Sequence, residues 1–490
     1  MQIGQTDIAN IVIDVTSRDD IPMILLGLQH IYTTKPLRKA VFTILEEVIP
    51  LKTTDDTSDL VAVDADKGRP GMDQWSILVL GTLRLGLNAD FDRIQELANQ
   101  HITLRMMLGH GLFDADKDYR LQTLKDNLHL FTPDIMARIN AEVVRAGYAL
   151  LDLEVDAMIR GRCDSFVLKT DVHFPTDINL LYDAIRVLIR ECVAWSKDYT
   201  LPGWRQHQYN LRQFKKLYRK IQKLRHSNSK NEDKKQAQAA KICTAHQDYI
   251  DLAQTYLDRV TDSYKLLKET YKIPETLLLE LKTFSQHGER QIDQIKRRVI
   301  GDEKIPHDEK VFSLFQPHTE WISKGKAGVP VELGIRVCVM EDTHGFILHH
   351  RVMQKETDDK IALEMVTATQ EKFPGFKACS FDKGFHSPDN QRKLQEKLEQ
   401  VVLPKKGRLS KGDKVREYAD EFVYAKKKHS AVESAINALQ VHGLNKCPDH
   451  GIEGFERYAA LAVLSRNIQI IGGIVRDLER ERLEEQKQAA

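Results

Sequence analysis

The chain reads as an α/β protein: a mixed sheet with helices on its faces, interrupted by a long helical insert and preceded by an all-α region. Three observations predict this. Residues 152–175 and 311–352 are rich in β-branched and aromatic residues at short period, whereas 71–149 and 178–310 keep a helical period. After residue 352, helical stretches alternate with short apolar runs, the pattern of crossover connections in a sheet. The length, 490 residues, allows two to four domains and a large core.

Composition narrows the class. Lys plus Arg is 72 and Asp plus Glu is 71, so net charge points to no partner and local charge has to. The six cysteines, at 163, 192, 243, 338, 379 and 447, contain no CxxC pair, which argues against a zinc site or a disulfide framework and for reduced thiols in a cytosolic protein. The N-terminus, MQIGQTDIANIVIDV, lacks a basic n-region, and no run reaches the roughly 18 apolar residues of a bilayer span. A soluble, cytoplasmic protein without a membrane partner is expected.

Residues 1–70 mix helical and loop signals and end in a polar stretch, 53–69, that reads as an exposed linker. In 73–87, Trp75, Ile77, Leu78, Leu80, Leu83 and Leu85 almost surround a helix, which should be buried. Amphipathic helices follow at 91–99 and 121–130, and Thr132-Pro133-Asp134 supplies a cap and a first-turn proline for the next. Strand character over 152–175 ends at Pro175-Thr176-Asp177, which starts a helix over 178–195 with Asp177 as its cap.

Residues 196–310 are helical and charged. From 205 to 241 there are twelve Lys or Arg against two acids, Glu232 and Asp233. Leu211, Phe214, Tyr218 and Ile221 share one helix face; Arg212, Lys216, Arg219 and Lys223 share another. Two readings stay open for this basic face, simple solvation and phosphate binding. A loop is expected at 226–235.

Strands are expected at 311–315, 331–340 and 346–352, the last two joined by a turn at 342–345. Helices at 360–372 and 389–400 flank a run ending in Asp382, and Pro404 stops a strand at 401–403. A basic loop, 405–416, precedes helices at 430–442 and 454–467 and a charged tail, 476–488.

Three acids carry the chemistry. In FKACSFDKGFHSP (376–388) an apolar run ends in Asp382, which places a carboxylate at the rim of a sheet, and Gly384 lets the chain turn. Such an acid can ligate a metal, act as a base, or merely cap the helix that starts at Pro388. Asp164 lies inside the first strand region, with Asp171 as a competing acid. Glu433 sits off the apolar seam Val432, Ile436 and Leu439, one turn after His429. It would face the sheet's flank or, like most helix glutamates, only solvent. An acid on the first strand, one at a late strand's end and one on a helix about fifty residues further are hard oxygen ligands suited to a pair of Mg²⁺ ions in phosphodiester chemistry.

At these residues the chain resembles a known family. CDSFVLKTDVHFPTDINLL resembles the first-Asp motif of bacterial insertion-sequence transposases, with Asp164 ten residues before Phe174-Pro175-Thr176-Asp177. SFDKGFHSPDN resembles the second-Asp motif around Asp382, and HSAVESAINALQVHGLNKCPDHG the glutamate motif around Glu433. WSILVLGTLRLGLNADFDRIQEL resembles the N-terminal helical domain of these enzymes. The resemblance is to DDE transposases of the ISNCY-type group, in the retroviral-integrase superfamily, and it covers most of 71–472. It implies a ribonuclease-H-like core and two divalent ions, Mg²⁺ with Mn²⁺ as a substitute, held by Asp164, Asp382 and Glu433. It also implies cleavage of DNA at terminal inverted repeats and strand transfer into target DNA, by a homodimer or higher homo-oligomer on DNA in the bacterial nucleoid. Motif spacing selects Asp164 over Asp171.

The chain departs from better-studied relatives in two ways. Its insert lies between the first and second acids, and a Tyr-Arg before the glutamate with a Lys after it cannot be mapped cleanly, since His429 and Lys446 occupy the nearest places. A catalytically inactive DNA-binding protein derived from a transposase is the rival reading. Arg212, Lys216, Arg219, Lys223, Lys405, Lys406 and Arg408 are the expected DNA-binding residues, with further basic side chains at 426–428. The domain plan is an N-terminal segment and linker (1–70), a helical DNA-binding-type domain (71–150), a catalytic core (151–177 and 311–472), a basic helical insert (178–310) and a charged tail (473–490).

Overall fold

The computed structural model describes residues 6–48, 51–53, 60–62, 71–111, 114, 117–153, 158–323 and 330–489. The chain divides into two units, Met1–Asp171 with Ile322–Ala490, and Val172–Trp321.

The first unit begins with α1 (Asp20–Thr33), capped by the Asp19 carboxylate, and α2 (Lys35–Leu45). Most of the linker expected at 53–69 lies outside the described residues. Where described, β1 (Leu51–Thr53) and β2 (Leu60–Ala62) pair antiparallel as a hairpin. In α3 (Gln74–Gly86) every residue from Trp75 onward is buried, as its all-round apolar pattern requires. There follow α4 (Phe91–Gln100), α5 (Ile102–Met107), α6 (Leu121–Leu128) and α7 (Pro133–Leu150), the last with Thr132 as cap and Pro133 in its first turn. The chain then enters the long strand β3 (Ile159–Thr170).

The second unit is built from α8 (Asp177–Trp195), α9 (His207–Lys223), α10 (Glu232–Lys265) and α11 (Leu279–Ile295). It has its own core, in which Phe214 stacks on Tyr249 with ring centroids 4.5 Å apart. The unit is wider at both ends than the expected insert, 178–310. Two local expectations are corrected. Thr176, not Asp177, caps α8, its hydroxyl accepting from the Asn179 N–H, while Asp177 pairs with Arg298 at 2.7 Å. Residues 311–315 are not a strand. The Ser313 hydroxyl accepts from the N–H groups of Phe315 (3.3 Å) and Gln316 (3.0 Å), which closes a turn, and Pro317 brings no donor to a ladder.

After β4 (Glu320–Ser323) come β5 (Val331–Asp342), β6 (Ile347–Met353), α12 (Asp358–Lys372), β7 (Phe376–Phe381), α13 (Pro388–Lys397) and β8 (Gln400–Val402). The sheet has seven strands in the order β4-β5-β3-β7-β8, with β6 also on β5 and a short β9 (Lys446–Cys447) on β3. On one side, β5 pairs antiparallel with β3 and β6 antiparallel with β5; on the other, β7 pairs parallel with β3 and β8 parallel with β7. Parallel neighbours need crossovers, and α13 is the one between β7 and β8. The class is the mixed α/β sheet that was expected. Its β5–β6 turn is closed by Asp342, whose Oδ1 accepts from the N–H groups of His344 and Phe346, with Gly345 at φ +89°.

The expected basic loop at 405–416 is partly helical. α14 (Lys411–Glu417) opens with a reciprocal capping box between Ser410 and Asp413, and α15 (Asp420–His429) follows at once. α16 (Ala431–Leu439) carries Glu433 and ends earlier than 442, because His442 and Gly443 leave helical geometry. The expected helix over 454–467 and the charged tail are one helix, α17 (Gly451–Ala489). By length and composition α17 also contains a bilayer-spanning window, contrary to the sequence reading, but 72 % of that window is buried in the fold.

The helices of 71–150 share one continuous hydrophobic core with the sheet and α17 and fall within the first unit. A buried amide cluster ties the layers. Asn467 of α17 accepts from the Ile347 N–H (2.9 Å) and donates to Asn140 of α7 (2.7 Å), and Asn140 donates to the Ile347 carbonyl (3.0 Å). The β5–β6 ladder is irregular at this point, and the two asparagines satisfy backbone groups that burial would otherwise leave unpaired. All six cysteines are free thiols, and all but Cys243 are buried.

Candidate active site

The parallel register of β3 and β7 ends with Cys163 opposite Phe381. Asp164 and Asp382 are the next residues along, and the negative charge of Asp382 acts on Asp164. Asp382 continues in extended backbone, φ −74° and ψ 164°, and its side chain makes no capping bond. The reading of Asp382 as a cap for the following helix therefore fails. Ser387 caps α13, its hydroxyl accepting from the Asn390 N–H at 3.1 Å.

α16 packs on β3 through the expected seam, with Val432, Ile436 and Leu439 buried and Glu433 exposed in the first turn. Asp164 is half-buried. Burial first, then the negative charges of Asp382, Asp358 and Glu433, push its carboxyl up to about 6. The Ser165 N–H, which donates to Asp164 Oδ1 at 2.7 Å, works against that rise. The three predicted acids thus share one electrostatic neighbourhood. Asp171 does not join them and pairs with Lys446 at 2.5 Å.

Among the described residues, no three His, Cys, Asp or Glu side chains already stand close enough to hold a metal ion. The acids sense each other's charge without converging. Asp382 and Glu433 are exposed, so reorienting them uncovers no core. An all-oxygen donor set with a half-desolvated central carboxylate fits a hard divalent cation, since a cation relieves the like-charge crowding that raises Asp164.

Sequence reasoning missed some groups around these acids and noted His429 only for its place one turn before Glu433. Asp358, in the first turn of α12, accepts from the Ser165 hydroxyl at 2.7 Å and adds a fourth negative charge. In sequence it reads only as a helix-start acid. His429 places Nδ1 2.9 Å from the Ser380 hydroxyl, and its Nε2 is buried with no hydrogen-bond partner among the described residues. Burial lowers the His429 pKa, opposed by Asp382 and Glu433. Arg162 donates to Glu341 at 3.0 Å. Arg162 and Ser380 lie two residues before Asp164 and Asp382, and both line a cavity of about 910 Å³ with Arg160, Gln400, Tyr424 and Lys428.

In the second unit, Arg212, Lys216, Arg219 and Lys223 lie together along α9, as expected. Lys215 and Lys220 extend the same basic groove, of about 540 Å³, though Lys220 is paired with Asp248 at 2.9 Å. Phe214 and Ile221 hold the opposite face in the core. Of the other expected DNA contacts, Lys406 and Arg408 are exposed, while the Lys405 ammonium is committed to Asp413. No family model, curated protein or solved structure matches the chain.

Proposed function

We propose that the chain is a DDE transposase with a ribonuclease-H-like core, which cuts transposon-end DNA and joins it to target DNA. The observation that supports this reading is the β3–β7 register, which ends one residue short of Asp164 and Asp382, together with α16, which packs on β3 and carries Glu433, whose charge acts on Asp164. The central acid-bearing strand, with an antiparallel neighbour, β5, on one side and a parallel neighbour, β7, on the other, supports it.

Asp164 and Asp382 would hold a pair of Mg²⁺ or Mn²⁺ ions, with Glu433 completing one site. Such ions would supply an activated water or 3′-hydroxyl and would stabilise the leaving oxygen. The remaining work falls to the chain. Ser165 fixes the Asp164 carboxylate through its N–H and is itself tied to Asp358. The Ser380–His429 bond ties the end of β7 to the end of α15. The exposed cations of α9, with Lys406 and Arg408, would neutralise phosphates, and an oligomer on DNA in the bacterial cytoplasm is the proposed setting.

The deciding experiment incubates the purified chain with labelled DNA of its own element's end, with and without Mg²⁺. Cuts at the end that require the ion are expected. Binding without cutting would assign the inactive DNA-binding reading instead. For α9, changing Arg212, Lys216, Arg219 and Lys223 to Gln should weaken binding to all DNA sequences alike. The slope of log K against log salt should become shallower by up to about 0.9 for each phosphate that is no longer neutralised. Unchanged affinity and slope would make this face merely solvated.

A further inference from the structure

The motif Phe174-Pro175-Thr176-Asp177 has no part in the acid cluster, yet it forms one wall of a cavity of about 440 Å³ in the second unit. Aromatic rings run through that lining in series. Phe174 meets Trp321 edge to face with centroids 5.5 Å apart, Trp321 meets Phe312 at 5.7 Å, and Phe312 meets His307 at 5.3 Å. Phe174 is 57 % exposed, and its ring partner among the described residues is Trp321 alone. The charges in the lining are unequal in availability. Its two acids are both taken, Asp177 by Arg298 at 2.7 Å and Glu303 by Arg297 at 2.6 Å. Among the described residues, Lys304 and Lys310 remain as the cations beside the rings.

Exposed π-faces flanked by uncommitted cations are the chemistry that takes an unpaired nucleotide, the ring stacking and the phosphate meeting the ammonium groups. Duplex DNA offers no open base face, so this cavity differs in kind from the basic groove on α9, which suits a backbone of any sequence. We infer that the cavity walled by Phe174, Phe312 and Trp321 binds an unpaired nucleotide of a single-stranded DNA segment. The inference rests on the reading of the chain as a DNA-processing enzyme. Phe174 and Trp321 already touch edge to face, so the base stacks on an outer ring face rather than between them.

The test uses the full chain and a ten-nucleotide oligo(dT), with blunt duplex DNA as comparison, both measured by fluorescence anisotropy without Mg²⁺. Phe174→Ala and Trp321→Ala should each weaken oligo(dT) binding by about tenfold and leave duplex binding within about twofold. Phe174→Tyr should retain binding, whereas Phe174→Leu, apolar but without a ring, should not. Phe174 is exposed, so its truncation leaves the fold standing, and an unchanged thermal melt verifies that. Lys304→Gln with Lys310→Gln should flatten the salt dependence of oligo(dT) binding while thymidine still competes. Equal weakening of single-strand and duplex binding, or no effect of either ring, overturns the inference. The two readings fail separately. Ring-dependent oligo(dT) binding by a chain that never cuts its element's end would keep the cavity and remove the transposase. Mg²⁺-dependent cutting with oligo(dT) binding indifferent to both rings would do the reverse.

Discussion

Asp382→Asn should cut Mg²⁺-dependent DNA cleavage by several orders of magnitude while fold and DNA binding persist, and Asp164→Asn and Glu433→Gln should do the same. The amide keeps the shape of the carboxylate and loses the charge that a hard cation needs. Nothing in the fold depends on Asp382 or Glu433 as buried groups, since both are exposed and neither caps a helix. Asp164 is half-buried and already carries the cost of three like charges nearby, so its neutral amide should be tolerated at least as well. Residues acting as one unit are non-additive, and the triple variant should lose little more than the worst single one. DNA binding is measured alongside; removing negative charge that faces phosphate should hold or tighten it. Asp171→Asn is the internal control, because its partner is Lys446 and not the acid cluster. It should retain most of the cleavage. Near-normal cleavage by Glu433→Gln would remove that residue from the site, and loss of DNA binding in step with cleavage would make the acids structural.

Much of this arrangement was legible in the sequence because its signals are local. The all-round apolar pattern of α3, the proline and cap of α7, and the paired strands β5 and β6 each show within a dozen residues. The acids could be ranked for the same reason, as each stands in a short motif. What escaped was set by long-range contacts or by weak periodicity. α14 and α15 were hidden in a basic stretch because each buries only one residue, Glu417 and Phe422, leaving no apolar seam to read. The turn at 311–315 looked like a strand because Val311, Phe312 and Phe315 are apolar, and only the Ser313 hydroxyl bonds reveal the competing geometry. Asp358 reaches the site by bonding a serine 193 residues away in sequence, a relation with no local trace. The ring series of the second unit joins residues 174, 307, 312 and 321 for the same reason.

The largest stability effect is expected at Gly472, which the sequence reading treated as the end of the core and the structure places inside α17 against α1. A Cβ added there would lie 1.8 Å from the Met23 carbonyl oxygen, and one added at Gly27 would lie 2.1 Å from the Ile468 carbonyl oxygen. Both obstacles are backbone, which cannot swing aside as a side-chain tip can. Helix propensity alone would favour Ala over Gly by about 1 kcal/mol. The steric term acts the other way and should win, so Gly472→Ala is expected to destabilise by about 2–3 kcal/mol. Relief of the clash must lift α1 from α17 and loosen Ile24, Leu28, Ile468 and Ile471, all fully buried. The consequence reaches the site, because Asn467 on the same helix holds β6, β6 pairs with β5, and β5 pairs with the strand that carries Asp164. Gly473→Ala separates the two terms. Its added Cβ would meet only the Met23 sulfur at 3.8 Å, an ordinary contact, so propensity should leave that variant neutral or slightly more stable. Urea unfolding of the parent and the two variants decides the matter. Gly472→Ala as stable as Gly473→Ala would mean that α1 and α17 stand farther apart than a glycine contact requires.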